Sequence, residues 1–390
     1  MDTLQIIFWI LLGIIFYTYL GYGIVLFVMV RIKRIFKTGK LVVLKEDELP
    51  EVTLLIAAYN EQDFVAKKVE NTLQLNYPKA KLHQMWVTDG SDDNTPTLLK
   101  SYKDIEVLHK PERNGKIAAM NRAMKFVKTP IVIFSDANTL LGENSIMKIA
   151  QMFSNPKTGC VSGEKRILNT EKEAAAGAGE GIYWKYESAL KRWDAELNTA
   201  VGAAGELFAI RTELFNEVEA DTLLDDFIIS LRVAMQGYKI DYDPEAYAQE
   251  TASANVKEEL KRKIRIAAGG IQSVVRLYPL LNIFKYGLLS FQYISHRVLR
   301  WTITPIALLL LLIVNIILAP SSILFTIILA LQALFYIFAF IGWKLENKEL
   351  KVKIFFIPYY FYIMNYAVYM GFIRYIRNKQ SVNWERAKRG

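Results

Sequence analysis

The chain has 390 residues, a formal net charge of +9 and 52% hydrophobic residues, with a mean hydropathy of +0.17. It is too long for one small domain and too apolar for an ordinary soluble one. Its single cysteine, Cys160, excludes an internal disulfide framework and a cysteine-based zinc site. No basic-aromatic nucleic-acid signature accompanies the positive charge.

From Leu4 to Val30 there is no charged residue, and Arg31, Lys33, Arg34, Lys37 and Lys40 follow at once. That run is long enough to cross a bilayer, and the basic cluster marks its cytoplasmic side, so residues 1–31 are read as an N-terminal transmembrane anchor. The competing reading, a cleaved signal peptide, would place the basic residues before the apolar run and a small-x-small site after it.

Residues 50–275 alternate strands and helices in the manner of a parallel sheet covered on both faces. The first strand, Val52 to Ala57, ends in Ala58-Tyr59-Asn60-Glu61, and a helix runs from there to about Leu75. Met85 to Thr88 is the second strand, ending in Asp89-Gly90-Ser91-Asp92-Asp93. The third lies near Ile105 to His109, followed by the loop Lys110 to Lys116 and a helix. The fourth is Ile131 to Phe134, an apolar run with β-branched residues leading that reads as a strand buried on both faces.

That fourth strand ends in Asp136-Ala137-Asn138. Open α/β sheets bind their ligands at the carboxyl ends of the strands, and polar residues gather at that edge strand after strand. A carboxylate with an amide oxygen two residues on supplies hard oxygen donors for Mg²⁺ or Mn²⁺, and such a metal would hold a diphosphate. The alternative is an acid that caps the following helix. A dinucleotide oxidoreductase would carry Gly-x-Gly-x-x-Gly after the first strand, and a P-loop NTPase would carry its glycine-lysine loop; the chain has neither. The charge of a bound diphosphate would therefore fall to a metal and to side chains such as Lys116.

Beyond residue 275, the segment 280–300 mixes Lys285, His296, Arg297 and Arg300 with aromatic and aliphatic residues, as an amphipathic helix in a membrane interface would. Three apolar segments follow within 301–373: Trp301 to Leu318, Ile323 to Trp343 and Ile354 to Ile373. Three crossings would put the tail, 374–390, opposite the middle of the chain, yet it carries Arg374, Arg377, Lys379, Arg386, Lys388 and Arg389. Either the interface segment also crosses, or one tail segment is re-entrant, or the charge rule fails. The flanking basic clusters suit anionic lipid headgroups. The three histidines, His83, His109 and His296, lack metal-ligand spacing and are expected to be structural.

Ala58-Tyr59-Asn60-Glu61, then Asp89-Gly90-Ser91-x-Asp93-x-Thr95, Asn114-Gly115-Lys116 and Asp136-Ala137-Asn138 resemble, in order and spacing, the family 2 glycosyltransferases of the GT-A fold. The resemblance implies an α/β, Rossmann-like nucleotide-diphospho-sugar transferase domain, here with one N-terminal and about three C-terminal transmembrane helices. It implies that Tyr59, Glu61, Asp89, Lys116 and Asp136 hold the donor nucleotide, and that Asp136 with Asn138 marks the metal and diphosphate site. Asn138 replaces the second acid of the family's Asp-x-Asp.

The downstream half resembles the membrane-embedded branch of cellulose, chitin, hyaluronan and poly-N-acetylglucosamine synthases. Gly202 to Glu206 with Phe208 to Arg211 is similar to that branch's acceptor-side element, which brings in Gly205 and Glu206. Leu224-Asp225-Asp226 resembles its Thr-Glu-Asp motif. The last acid of that motif is the base that takes the acceptor hydroxyl proton, which makes Asp226 the candidate. Capping of the helix that runs on to Met235 is the other reading of Asp225 and Asp226. The branch's Gln-x-x-Arg-Trp appears as Arg262-Lys263-Ile264-Arg265-Ile266, keeping one Arg without the Gln or the Trp. Arg262 and Arg265 are thus acceptor-side or diphosphate candidates, with a solvated charge run as the alternative; Trp384 with Arg386 and Arg389 is similar to the branch's basic tail.

Together these features imply an inverting, metal-dependent transferase of the cytoplasmic membrane. Its donor is expected to be a UDP-linked sugar, its acceptor a saccharide or a lipid-linked sugar, and its catalytic domain cytoplasmic. A processive synthase that also secretes its product and a non-catalytic membrane scaffold are the rivals.

Overall fold

The computed structural model describes residues 3–36, 43–168, 178–251, 256–346 and 352–377. Lys37, Lys40, Lys379, Trp384, Arg386, Lys388 and Arg389 lie outside them.

The first helix, α1 (Thr3–Phe36), is interrupted by a π-helical turn at Tyr17–Gly21. The unit expected from the sequence to be catalytic, called the catalytic unit below, begins with β1 (Val52–Ala58), then α2 (Gln62–Leu73), β2 (Leu82–Asp89), α3 (Thr95–Lys100), β3 (Glu106–Lys110), α4 (Lys116–Met124) and β4 (Ile131–Asp136). It continues with β5 (Leu140–Leu141), α5 (Ser145–Met152), β6 (Thr158–Leu168), α6 (Ala178–Leu197), β7 (Leu207–Arg211), α7 (Asp225–Met235), β8 (Lys239–Thr251) and α8 (Val256–Arg276).

The eight strands of the described residues form one sheet in the order β3-β2-β1-β4-β7-β6-β8-β5. Strands β1 to β4 are parallel, and all seven residues of β1 are buried, because helices cover both faces. Leu55 and Ala57 face one core while Val52, Leu54, Ile56 and Ala58 face the other, the two-residue period of a strand. The expected all-parallel sheet stops at β4. Strand β7 runs antiparallel to both β4 and β6, and β5 runs antiparallel to β8. Sequence alternation reports which residues are covered and is silent about strand direction.

Residues 278–301 are not one continuous interface helix. They form a chain of short helical pieces with a left-handed break at Gly287 (φ 53°). Leu280, Leu289, Gln292, Tyr293 and His296 are buried against protein. His296 lies between Asp194 (2.6 Å) and Glu187 (3.2 Å) of α6, and Tyr22 of α1 donates to Asp194. Arg297 and Arg300 pair with Glu187 at 2.7 and 2.8 Å and, against its burial, hold that carboxyl well below the usual range. This buried polar cluster fastens α1, α6 and the 288–301 segment together.

Among the described residues, three helices are long and apolar enough to cross a membrane: α1, α9 (Ile303–Leu318, apolar to Ser321) and α10 (Ile323–Glu346). Phe8 packs against Leu311, Val314, Leu318 and Phe325 at one end of this group, far in sequence from the catalytic unit. At the other end Lys33 of α1 donates to the carbonyls of Glu196 and Leu197.

The last helix, α11 (Lys353–Ile376), is broken in apolarity by tyrosines and Asn365 and does not meet the same length-and-composition requirement. It starts beside Gly342 near the end of α10, and its later turns lie on α8 of the catalytic unit, where a Cβ on Gly371 would stand 2.7 Å from Ala267 Cβ. Tyr369 also donates to the carbonyl of Pro305 at the start of α9. Both ends of α11 therefore lie on the catalytic side, which accommodates the basic residues Arg374 and Arg377 there.

Candidate active site

Three loops at the carboxyl edge of the parallel strands are stitched to one another. Asn60, at φ 52°, donates through its amide to Asp92 (2.6 Å), and the Asp92 amide N–H donates back (3.1 Å). The backbone N–H of Glu61 donates to Thr95 Oγ1 at 2.9 Å, and the Glu61 side chain is buried. Asp89 Oδ2 accepts two short bonds, 2.6 Å each, from the N–H groups of Asn114 and Gly115. Such charge-assisted bonds are the strong ones, so Asp89 holds the third loop in place. Gly90 and Gly115 have φ of 65° and 94°; a Cβ on Gly90 would meet Arg113 Cβ at 2.5 Å.

The result is a small cleft lined by Ala57, Tyr59, Val87, Asp89, Arg113, Gly115 and Lys116, among others, with the Arg113 guanidinium 3.9 Å from the Tyr59 ring centre. Arg113 was not singled out from sequence. Its loop position between Lys110 and Lys116 was the available signal.

Lys116, at the start of α4, points from this cleft to the end of β4. Its Nζ is 2.9 Å from Asp136 Oδ1 and 3.5 Å from Asp225 Oδ2. Burial would lower this ammonium, but Asp136 and then Asp225 outweigh it and push it up. Asp225 and Asp226 are the first two residues of α7, where the helix N-terminus favours acids.

Asp226 is half-buried beside Gly205, whose added Cβ would lie 3.2 Å from Asp226 Oδ2. Burial first, then Asp225, pushes the Asp226 carboxyl up to about 7, with Glu206 adding and Lys116 opposing. A carboxyl near 7 is matched to accepting a proton at physiological pH.

The acceptor-side candidates divide into two groups. Arg265 on α8 is held below its ordinary value by burial, offset by Asp225, Asp136 and Asp226; among the described residues no side chain or carbonyl hydrogen-bonds it. Arg262, in contrast, is engaged by Glu259 through bonds of 3.0 and 2.8 Å. Glu206 pairs with Lys165 (2.6 Å), which also pairs with Glu250; although burial acts the other way, Lys165 holds Glu206 down to about 2. Lys165 and Glu250 lie far from Glu206 in sequence, and no local pattern points to their pairing.

Asn138 is half-buried just past the end of β4. Among the described residues no three His, Cys, Asp or Glu form a closed metal cage. The donor set is nonetheless suited to a hard divalent cation. Two carboxylates, Asp136 and Asp225, share one ammonium, and buried Asp225 Oδ2 accepts no hydrogen bond among the described residues.

The family model for glycosyltransferase like family 2 matches residues 50–269, more than half of the chain. The chain is a family 2 glycosyltransferase. It is 29% identical over 243 residues to the poly-β-1,6-N-acetyl-D-glucosamine synthase of Staphylococcus aureus (strain MSSA476), a match covering 59% of this chain and 57% of that synthase. The chain thus spans little more than half the length of such relatives in these matches. The synthase of the same name from Staphylococcus epidermidis is 24% identical over 383 residues, 91% of both chains. The structure of the mannosyltransferase PcManGT from Pyrobaculum calidifontis, solved with GDP-Man and Mn²⁺, superposes with a TM-score of 0.72 at 22% identity, covering 97% of this chain and all of that one. At that identity the likeness establishes the GT-A fold of this glycosyltransferase and its arrangement of apolar helices.

Proposed function

We propose that this glycosyltransferase moves a sugar, with inversion, from a UDP-linked donor to a saccharide or lipid-linked acceptor at the cytoplasmic face of the membrane. The observation that carries this reading is the placement of Asp226. A half-buried carboxyl pushed up to about 7 stands beside an ion array of Lys116, Asp136 and Asp225. Tyr59, Asp89 and Lys116 line the cleft that would take the nucleoside, with Glu61 buried behind it. Asp136, Asn138 and Asp225 would hold Mg²⁺ or Mn²⁺, which supplies charge neutralisation for a departing diphosphate. Arg265, with its guanidinium fork uncommitted to other side chains among the described residues, would pair with the diphosphate oxygens. Asp226 would accept the proton of the attacking hydroxyl, and the Lys165–Glu206–Glu250 cluster would fix the acceptor-side wall.

The S. epidermidis relative, matched over 91% of its length, favours a hexosamine polymer as the product and UDP-N-acetylglucosamine as the first donor to test. The basic residues Arg31, Lys33 and Arg34 in the last turns of α1 and Arg374 and Arg377 at the end of α11 support a cytoplasmic catalytic unit. The test is nucleotide release by the detergent-solubilised protein across UDP- and GDP-sugars, with Mn²⁺, Mg²⁺ or EDTA and with Asp136→Ala as control. Metal-dependent release from one donor, lost in the variant, supports the reading; release from none overturns it. A ladder of products would mark processive synthesis, and one product a single transfer.

A further inference from the structure

One cation near the site has no place in that scheme. Lys68 of α2 is fully buried, at 0% exposure, between the helix and the sheet. Its Nζ donates to Ser135 Oγ at 2.9 Å and to Thr139 Oγ1 at 3.4 Å, so its partners are two hydroxyls. Both hydroxyls pass the interaction on. Thr139 Oγ1 donates to the carbonyl of Asp136 (3.0 Å), closing the Asp136–Thr139 turn. Ser135 Oγ lies 3.2 Å from the carbonyl of Glu206, on the segment that enters β7.

A buried ammonium with neutral partners is costly, and burial pulls Lys68 down to about 7 while Asp136 acts against it. An apolar residue of the same length would pack there without that cost. The hydroxyl relays are what an apolar side chain would lose. One leads to the residue that begins the metal-side turn, and the other to the residue beside Gly205, which borders Asp226.

We infer that Lys68 is a positioning residue that ties the Asp136–Thr139 turn to the Gly205–Glu206 segment, keeping the diphosphate site and the acceptor base in register. This rests on the functional reading above. Lys68 is fully buried and acts through its two hydroxyl partners, through Thr139 on the metal side and through Ser135 chiefly on the acceptor side.

Ser135 Oγ also lies 3.4 Å from the carbonyl of Asp136 and from Thr139 Oγ1, so Thr139→Val cuts the metal-side relay while Ser135→Ala cuts the acceptor-side relay and weakens the other. Mn²⁺ binding is read from loss of the free-ion electron paramagnetic resonance signal in the presence of UDP, and turnover is read with the donor found in the release screen. Thr139→Val is expected to raise the half-saturating Mn²⁺ concentration about fivefold, the scale of one net hydrogen bond. Ser135→Ala is expected to lower kcat about fivefold and to raise the half-saturating Mn²⁺ concentration by less than Thr139→Val does. Lys68→Met is expected to do both. Wild-type Mn²⁺ binding and kcat in Lys68→Met would overturn the inference, as would equal shifts of both parameters in each hydroxyl variant. Should Lys68→Met fail to fold, the two hydroxyl variants decide the matter. Wild-type protein that binds Mn²⁺ with UDP but turns over no donor would sink the proposed activity, while the Mn²⁺ readout would still test the Thr139 relay.

Discussion

Replacing Asp226 with Asn should abolish transfer and at the same time stabilise the protein. The Asp226 carboxyl is pushed from the ordinary carboxylate range up to about 7, by burial first and then by Asp225. For an acid raised in this way, the folded state keeps a proton that the unfolded state has already lost. Stability therefore falls as pH rises from about 4 to about 7, and the loss is complete above 7. A shift of roughly three units, at about 1.36 kcal/mol per unit, sets a ceiling of about 4 kcal/mol on that loss. A neutral amide of the same shape escapes it. The expected result is a Tm for Asp226→Asn several degrees above wild type at pH 8, with the difference shrinking towards zero below pH 5. In the wild type a divalent cation beside Asp225 would oppose that shift, so transfer should rise at a lower pH than the metal-free stability change. The assay pairs thermal unfolding of the detergent-solubilised protein with nucleotide release between pH 5.5 and 8.5. Unchanged transfer in Asp226→Asn, or a Tm difference independent of pH, would refute the reasoning. Asp225→Asn, read by unfolding of the metal-free protein, removes the neighbouring charge that raises Asp226, so the pH range over which stability falls should move lower.

Other perturbations have equally definite outcomes. Asp136→Asn removes the carboxylate 2.9 Å from Lys116, a proposed metal ligand, and should raise the half-saturating Mn²⁺ concentration at least tenfold, measured by metal titration of nucleotide release. Arg265→Met removes a guanidinium that no described residue hydrogen-bonds, so transfer should fall about a hundredfold while Tm holds or rises, a combination that kinetics and unfolding together would show. Gly205→Ala would press a methyl against Asp226 Oδ2 at 3.2 Å; kcat should fall about tenfold with nucleotide binding retained, as calorimetry with UDP can check. The return of α11 to the catalytic side predicts that cysteines placed at Ser381 and at exposed Ser321 label from opposite sides of the membrane with an impermeant maleimide. Buried Cys160 gives little background in that experiment.

The strand ends that carry the candidate donor residues were legible in the sequence because parallel strands buried on both faces read as apolar runs, and each run ends where its polar residue begins. The runs at Val52, Met85 and Ile131 thus located Tyr59, Asp89 and Asp136 within a residue of their observed strand ends. The helix from Asp225 to Met235 was legible for a similar reason, two acids leading an apolar stretch. What local pattern cannot carry is partnership across the fold. Glu206 and Lys165 are 41 residues apart, and Lys68 and Ser135 are 67 apart. The course of α11 was hidden differently: its apolar content approaches that of a spanning helix, and the small contacts at Gly371, Ala267 and Ala268 that seat it on α8 look ordinary in the sequence.

The reversal of strand direction explains why the site is where it is. In the parallel half of the sheet, β1, β2 and β4 deliver Tyr59, Asp89 and Asp136 to one edge. Had β7 also run parallel to β4, its carboxyl end, Arg211, would stand at that edge and Gly205 and Glu206 would lie at the far one. Because β7 is antiparallel, with Ser135 opposite Leu207, the residues that enter β7 meet the residues that leave β4. The pairing brings Glu206 to Ser135 and sets Gly205 against Asp226. The boundary between the parallel and antiparallel halves is therefore the line along which a donor bound to the first half and an acceptor bound to the second would react. Lys68 sits beneath that line, and changes that loosen the β4–β7 pairing should uncouple nucleotide binding from transfer before they unfold the domain.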